Sequence, residues 1–215
     1  MKKTCLMVAL CVCLSAAQAF PAEMGRRDMS GQPGGSAIET TKTYNDFLGE
    51  GTLGLDVSAV WKKAQWKVVT GGTESHDDSV WEPQVSVFYG MNNFLDVRLS
   101  YEPFSLSEGP ANLDVTRLGI GARARKCGTD FIPFAEILIN YYILSSDNMN
   151  DLNGTFGISG EVGITYQVSD FFFVNVGAPA ETFLTRATGK DALTGDDARL
   201  SFNSFGLGVG VTVLF

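Results

Sequence analysis

The sequence predicts an all-β fold, a transmembrane eight-stranded antiparallel up-and-down β-barrel, and three observations carry that prediction. From Gly51 onward apolar residues alternate with polar or small ones in eight separate runs, the period of strands with two different faces. The segments that join the runs alternate short and long. The chain also closes on GLGVGVTVLF, Gly206 to Phe215, a strand pattern carried to the last residue, where a frayed polar tail is the ordinary ending.

The first residues precede that pattern. MKKTCLMVALCVCLSAAQAF has Lys2 and Lys3, an apolar run from Cys5 to Leu14, and Ala17-Gln18-Ala19. A basic start, a short apolar core and a small-x-small site predict a secretory signal peptide, residues 1–19, cut after Ala19. The run is short of the roughly 20 residues that a spanning helix needs. Cleavage removes Cys5, Cys11 and Cys13, so Cys127 remains alone and no internal disulfide is expected. Losing two lysines takes the net charge from −8 to −10. Residues 20–49, with SGQPGGSAIETTKT, show no sustained period and predict a flexible periplasmic segment with a short ordered piece near Tyr44–Leu48. Residues 50–215 then form the barrel.

The strands follow in order. GTLGLDVSAVW sets Leu53, Leu55, Val57, Ala59 and Trp61 against Thr52, Gly54, Asp56 and Ser58. VWEPQVSVFY sets Trp81, Val85, Val87 and Tyr89 against Glu82, Gln84 and Ser86. LDVRLSYE sets Leu95, Val97, Leu99 and Tyr101 against Asp96, Arg98, Ser100 and Glu102. TRLGIGARAR sets Leu118, Ile120, Ala122 and Ala124 against Arg117, Gly119, Gly121, Arg123 and Arg125. FIPFAEILINYYI sets Ile137, Ile139, Tyr141 and Ile143 against Glu136, Asn140 and Tyr142. FGISGEVGITY sets Phe156, Ile158, Val162, Ile164 and Tyr166 against Ser159, Glu161, Gly163 and Thr165. FFFVNVGA sets Phe172, Val174 and Val176 against Phe173, Asn175 and Gly177. The last run sets Phe205, Leu207, Val209, Val211, Val213 and Phe215 against Gly206, Gly208, Gly210 and Thr212.

Short turns are expected at Gly90–Asn93, Lys126–Asp130 and Gln167–Asp170, and long polar connections near Lys63–Ser79, Phe104–Asp114, Leu144–Thr155 and Ala180–Arg199. That asymmetry is the one shown by outer-membrane barrels, with short periplasmic turns and longer external loops. An even strand number returns the C-terminus to the periplasmic side of the N-terminus.

Alternation alone also suits a soluble exported barrel, which would be extracted without detergent. Three features favour an apolar face turned outward to lipid. Asp56, Glu82, Asp96, Arg98, Glu102, Arg117, Arg123, Arg125, Glu136 and Glu161 share the other face at mid-strand, as a charged lumen. Aromatic residues recur near strand ends in two girdles: Tyr89, Phe131, Tyr166 and Phe172, with Phe215, by the short turns, and Trp61, Trp81, Tyr101 and Tyr141 toward the long connections. A closed barrel must also pair its last strand fully, since lipid offers an edge no partner.

Val211, Val213 and Phe215 resemble the terminal insertion signal of bacterial barrels. With YGMNNFLDVRLSYE and FIPFAEILINYY, the stretch from Gly51 to Phe215 resembles the small eight-stranded outer-membrane barrels, the OmpA transmembrane domain, OmpX and opacity-type proteins. The resemblance implies outer-membrane lipids and the barrel-insertion machinery as partners; with no room after Phe215, no peptidoglycan-binding domain is expected.

An eight-stranded barrel is only wide enough for side chains to fill. The six acids and four arginines are therefore expected to form a salt-bridge network, Arg98, Arg117, Arg123 and Arg125 bridging Asp56, Glu82, Glu102, Glu136 and Glu161. Function then falls to four surface loops, as adhesion or recognition of an extracellular ligand. A narrow cation-leaning channel is the alternative, from the two acids in excess. The inward glycines lack the strand–loop–helix setting of a phosphate cradle and are read as space for opposite arginines. The acidic pI near 4.6 argues against a nucleic-acid partner. No enzyme activity, cofactor or metal is expected. His76, in TESHDDS beside Ser75, Asp77 and Asp78, is the single histidine and is read as loop surface. The loop acids Asp147, Asp151, Asp191, Asp196 and Asp197 match no EF-hand spacing.

Overall fold

The computed structural model describes residues 48–70, 73–108, 111–126 and 131–215. The barrel belongs to the second of two units, Thr43–Phe215; the first, Met1–Lys42, lies outside the described residues. So do the expected signal peptide, nearly all of the periplasmic lead-in, and Cys127. Among the described residues no helix is long and apolar enough to cross a membrane.

Ten strands form one sheet: β1 (Leu53–Val69), β2 (Thr73–Asn92), β3 (Leu95–Glu108), β4 (Ala111–Arg125), β5 (Phe131–Ser145), β6 (Met149–Asn150), β7 (Thr155–Gln167), β8 (Phe172–Phe183), β9 (Ala187–Asp191) and β10 (Asp197–Leu214). Eight of them pair in the order β1-β2-β3-β4-β5-β7-β8-β10, and β10 returns to β1, closing an antiparallel up-and-down barrel. The short β6 and β9 extend its long-loop end.

Closure pairs the last strand along its length. β10 pairs with β1 from Gly54↔Leu214 to Val69↔Arg199 without a break. The last two amides are also placed, Phe215 donating to the Leu53 carbonyl at 2.9 Å and Leu214 to Phe171 at 2.9 Å. With its termini held this way the sheet exposes no free edge at its β1–β10 junction.

The expected long connections are mostly strand. β1 and β2 run on together to Val69↔Thr73, and β3 and β4 to Glu108↔Ala111. Alternation continues through these extensions, but with its polarity reversed. On β1 the outward residues are Leu53 to Trp61 by twos, then Lys63, Gln65 and Lys67; the inward ones are Gly54, Asp56, Ser58, Val60 and Lys62, then Ala64 and Trp66. β3 reverses between Glu102 and Phe104, and β4 between Val115 and Arg117. Below the reversal the barrel is apolar outside and polar inside, and above it is built like a soluble barrel. Nine residues of outward apolar strand on β1, Leu53 to Trp61, match the ~9–11 tilted residues that span a bilayer core.

One seam interrupts the wall. β2 and β3 pair only from Asn92↔Leu95 up to Val85↔Tyr101. The same register next sets Pro83 opposite Pro103, and a proline has no N–H to give to a ladder. Above that point the strands part, and Asp78 Oδ2 spans the gap by accepting the Ser107 amide at 2.9 Å.

Candidate functional site in the barrel lumen

The inward side chains stack in layers. At the short-turn end Leu48, Phe88, Ile132 and Phe173 form a buried apolar cluster, with Leu214 against it. Leu48 belongs to the segment just before β1 and is buried inside the barrel mouth; the rest of the short ordered piece expected near Tyr44–Leu48, residues 44–47, lies outside the described residues. Arg125 fixes Leu48 there, its Nη2 donating to the Leu48 carbonyl at 2.5 Å.

Above lies a first charged layer. Arg98 pairs with Asp56 and, through Nε, with Glu136 at 2.9 Å. Arg123 meets the same Glu136 at 2.9 Å, Asp56 at 3.3 Å and Glu161 at 3.9 Å. Arg125 forks onto Asp96, at 2.6 and 2.7 Å. Thr212 Oγ1 donates to Asp56, and Asn175 Nδ2 donates to Thr212 at 2.7 Å. Asp56 and Glu136 thus each take charge-assisted contacts from arginines on two strands, β3 and β4.

A neutral polar layer follows, in which Asn140 Nδ2 donates to Ser159 Oγ at 2.9 Å. The second charged layer centres on Lys62, only 1% exposed. Its Nζ pairs with Glu102, with Glu181 at 2.9 Å and with Glu82 at 3.0 Å. Arg117 joins Glu102 and Glu181, the latter at 2.8 Å. Tyr142 and Ser204 hydroxyls donate to Glu181 at 3.0 and 2.8 Å. Rings bound both layers: Phe104 lies 5.2 Å from Lys62, Phe88 5.3 Å from Arg98 and Phe134 4.0 Å from Arg123. These cation–π contacts join the charged layers to the apolar ones beyond them.

The long-loop end is filled by the largest apolar cluster, among it Trp66, Phe104, Leu106, Tyr142, Leu200 and Phe202. Two cavities of about 20 Å³ remain among the charged side chains. A third of about 80 Å³, bordered by Trp66, His76, Glu74 and Met149, opens under the outer rim.

All ten charged residues that the sequence assigns to the lumen point inward. Nine are buried and Glu161 is half-buried. Two partners escape the sequence reading: Lys62, which rather than an arginine is the cation beside Glu82, and Glu181. Glu181 falls in a stretch assigned to a connection, and Lys62 between the first run and the connection after it. The inward glycines also differ from their expected role. A Cβ on Gly177 would strike the Glu161 carboxylate, and one on Gly206 would meet Lys62 Cγ at 3.0 Å and the Trp61 backbone. Gly177 makes room for Glu161 and Gly206 for the Lys62 stem and the neighbouring strand, while Gly119 and Gly121 clear Ser100, Asn140 and the β5 backbone rather than facing arginines.

The eight aromatic girdle residues all point outward. Trp81, Tyr89, Tyr101, Phe131, Tyr141 and Tyr166 are exposed, while Trp61 and Phe172 are half-buried. Phe131 and Tyr166 pack as tilted rings 5.0 Å apart at one level, and Tyr141 and Phe156 5.1 Å apart at the other. From Phe131 to Tyr141 along β5 is ten residue steps, about 34 Å of antiparallel strand and about 24 Å of height at a 45° tilt. Of the terminal trio, Phe215 is exposed, Val211 half-buried and Val213 buried at 8%, so Val213 does not present its side chain to the surroundings. His76 is not in a loop but on β2, stacked on Trp66 at 5.3 Å and 3.7 Å from Glu74. Ser75 and Asp77 alternate to the opposite face, so TESHDDS builds no triad.

The chain forms a closed eight-stranded barrel with a waist of exposed apolar residues about 24 Å tall, aromatic residues at its two levels and a packed interior whose charged side chains point inward. This is the fold of the small outer-membrane barrels. OprG from Pseudomonas aeruginosa superposes with a TM-score of 0.61 at 15% identity, over 79% of this chain and 99% of that one. Neisserial surface protein A gives 0.55 at 17% identity, over 77% and 100%. AlkL, solved in lipid bilayers, gives 0.57 at 11% identity, over 86% and 95%. By sequence, no family model and no curated protein matches the chain.

Proposed function

We propose that this chain is exported with loss of residues 1–19 and inserted in a Gram-negative-type outer membrane. There it acts as a structural and recognition protein through its outer wall and loops. The observation that carries this reading is the filled lumen: apolar clusters at both ends enclose two layers of paired charge, with cavities of about 20 Å³ among the charged side chains. Such gaps hold about one water each. Solutes find no continuous path, and function moves to the surface that the rigid barrel displays. The aromatic girdles anchor the waist at the two interfaces, and the paired C-terminal strand carries the residues that the insertion machinery reads. The separation of Ser75 from His76 across the β2 wall supports a role without catalysis.

A second reading is favoured by one observation. The lumen holds seven acids, Asp56, Glu82, Asp96, Glu102, Glu136, Glu161 and Glu181, against five cations, Lys62, Arg98, Arg117, Arg123 and Arg125. That excess suits a narrow cation-leaning channel. Single-channel recording of the refolded barrel in planar bilayers decides between them, with insertion checked by the gel-mobility shift of unheated protein. A silent membrane supports the filled lumen. Steady cation-selective steps, altered by Arg123→Ala, would replace it with the channel.

A further inference from the structure

The cations outside the lumen are segregated. Among the described residues Lys126 sits at the short-turn end, and the other five, Lys63, Lys67, Arg186, Lys190 and Arg199, all lie on β1, β9, β10 and the 184–186 turn. Among the described residues the charged side chains on the outward face of the β3–β5 arc above the waist are acids, such as Asp114 on β4. Lys63 and Lys67 face outward on β1, and Arg199 on β10 lies opposite Val69, diagonal to Lys67. Lys190 on β9 lies opposite Asp197, diagonal to Arg199. Diagonal neighbours stand about 7–8 Å apart, so Lys67, Arg199 and Lys190 form a ladder across three adjacent strands. Asp77, 3.9 Å from Lys63, and Asp197 are the acids on this face. Among the described residues Lys67, Lys190 and Arg199 have no ion-pair partner.

The position of this ladder relative to the waist identifies its occupant. Lys63 stands two residues above Trp61 and opposite Phe205, and Lys67 six residues above Trp61. At about 3.3 Å per residue and a 45° tilt these are about 5 Å and about 14 Å above the top of the apolar belt. A phospholipid phosphate at the interface reaches only the lowest of them. A lipid whose phosphates sit on sugars, at successive heights above its acyl chains, meets the whole ladder.

We infer that the β9–β10–β1 face binds the phosphorylated sugar headgroup of an outer-leaflet glycolipid, Lys63 at the interface and Lys67, Arg199 and Lys190 above it. The inference rests on the membrane placement proposed above. Acyl chains lie along Leu207, Val209 and Trp61 while the phosphates meet the cations. Binding of this kind weakens with salt, because exposed charges are screened within about a Debye length.

The test uses the full barrel in zwitterionic micelles and native mass spectrometry, with three probes: lipopolysaccharide, the same lipid dephosphorylated, and phosphatidylglycerol. Folding is read separately from gel mobility and from insertion into phosphatidylcholine nanodiscs. The wild type should prefer lipopolysaccharide over both other probes. Lys67→Gln/Lys190→Gln/Arg199→Gln should bind it about 100-fold less tightly, at roughly fivefold per charge near a membrane surface. Asp114→Asn on β4 should bind as wild type. Equal binding by the triple variant, by the dephosphorylated lipid or by phosphatidylglycerol would overturn the assignment. A wild-type barrel that stays soluble and does not insert would instead overturn the membrane reading on which it rests.

Discussion

Lys62→Met tests whether the upper charged layer holds the barrel together. Methionine keeps the length of the lysine stem and removes only the charge. In the folded protein Lys62 and Arg117 face Glu82, Glu102 and Glu181, two cations against three acids. After the substitution Arg117 alone faces the same three, and Glu82 loses its cation. All five side chains are nearly inaccessible, 3% exposed or less, so water cannot take the place of the lost partner. Breaking one arm of a buried ion pair costs about 3–5 kcal/mol, most of it the uncompensated charge left behind. Urea unfolding from phosphatidylcholine vesicles, followed by tryptophan fluorescence and by gel mobility, should therefore show a drop of that size. Adding Glu82→Gln restores the original imbalance of one acid and should recover about 1–3 kcal/mol, the range of coupling between contacting residues. A loss under about 1 kcal/mol for Lys62→Met, or a double variant no more stable than the single, would refute the reasoning.

Three further outcomes are expected. Ile139→Arg, at the middle of the outward belt, should destabilise the inserted barrel by about 2–4 kcal/mol, whereas Gln65→Arg above the belt should change stability by less than about 1 kcal/mol, both read from vesicle unfolding. Phe202→Ala, in the apolar cluster of the outer end, should cost about 3–5 kcal/mol and open the upper strands to protease before the waist unfolds. At Asp191 the carboxylate accepts the amides of Leu193 and Thr194 at 2.8 and 2.9 Å, and these bonds hold its pKa below the usual aspartate range. The stabilisation of the 191–196 turn is therefore complete above the ordinary aspartate value of about 3.9 and is lost as pH falls through the lower folded value. Hydrogen exchange at Leu193 and Thr194 should speed up in that acid window, and Asp191→Asn should abolish the change.

The barrel was legible because lipid and a packed lumen impose one apolar and one polar face on every spanning strand. The ten lumen charges follow from that phase alone. Lys62, Glu181 and the strand extensions did not, because the phase reverses where the strand leaves the membrane. In LDVSAVWKKAQWKV the apolar set runs on odd numbers to Trp61 and on even numbers from Ala64. A reading that follows one face sees the strand stop at the reversal and counts KKAQWK as a polar loop. The reversal was itself a signal, a jump of one in phase at paired lysines. Leu48 was harder to read, since nothing in a Gly- and Thr-rich lead-in indicates that one leucine turns into the barrel mouth. The β2–β3 seam was visible only as Pro83 and Pro103; their opposition depends on a register that the sequence does not state.

The reversal of polarity at the top of the waist is the most direct point to measure. Spin labels placed singly at outward positions of β1 from Leu55 to Lys67, in a cysteine-free background in bilayers, report collisions with oxygen in lipid and with a nickel chelate in water. Positions 55 to 61 should favour oxygen, and 63, 65 and 67 the nickel chelate, with the change falling between Trp61 and Lys63. Uniform nickel access along the whole strand would contradict a lipid-facing waist, and uniform oxygen access would contradict a barrel that rises above the membrane.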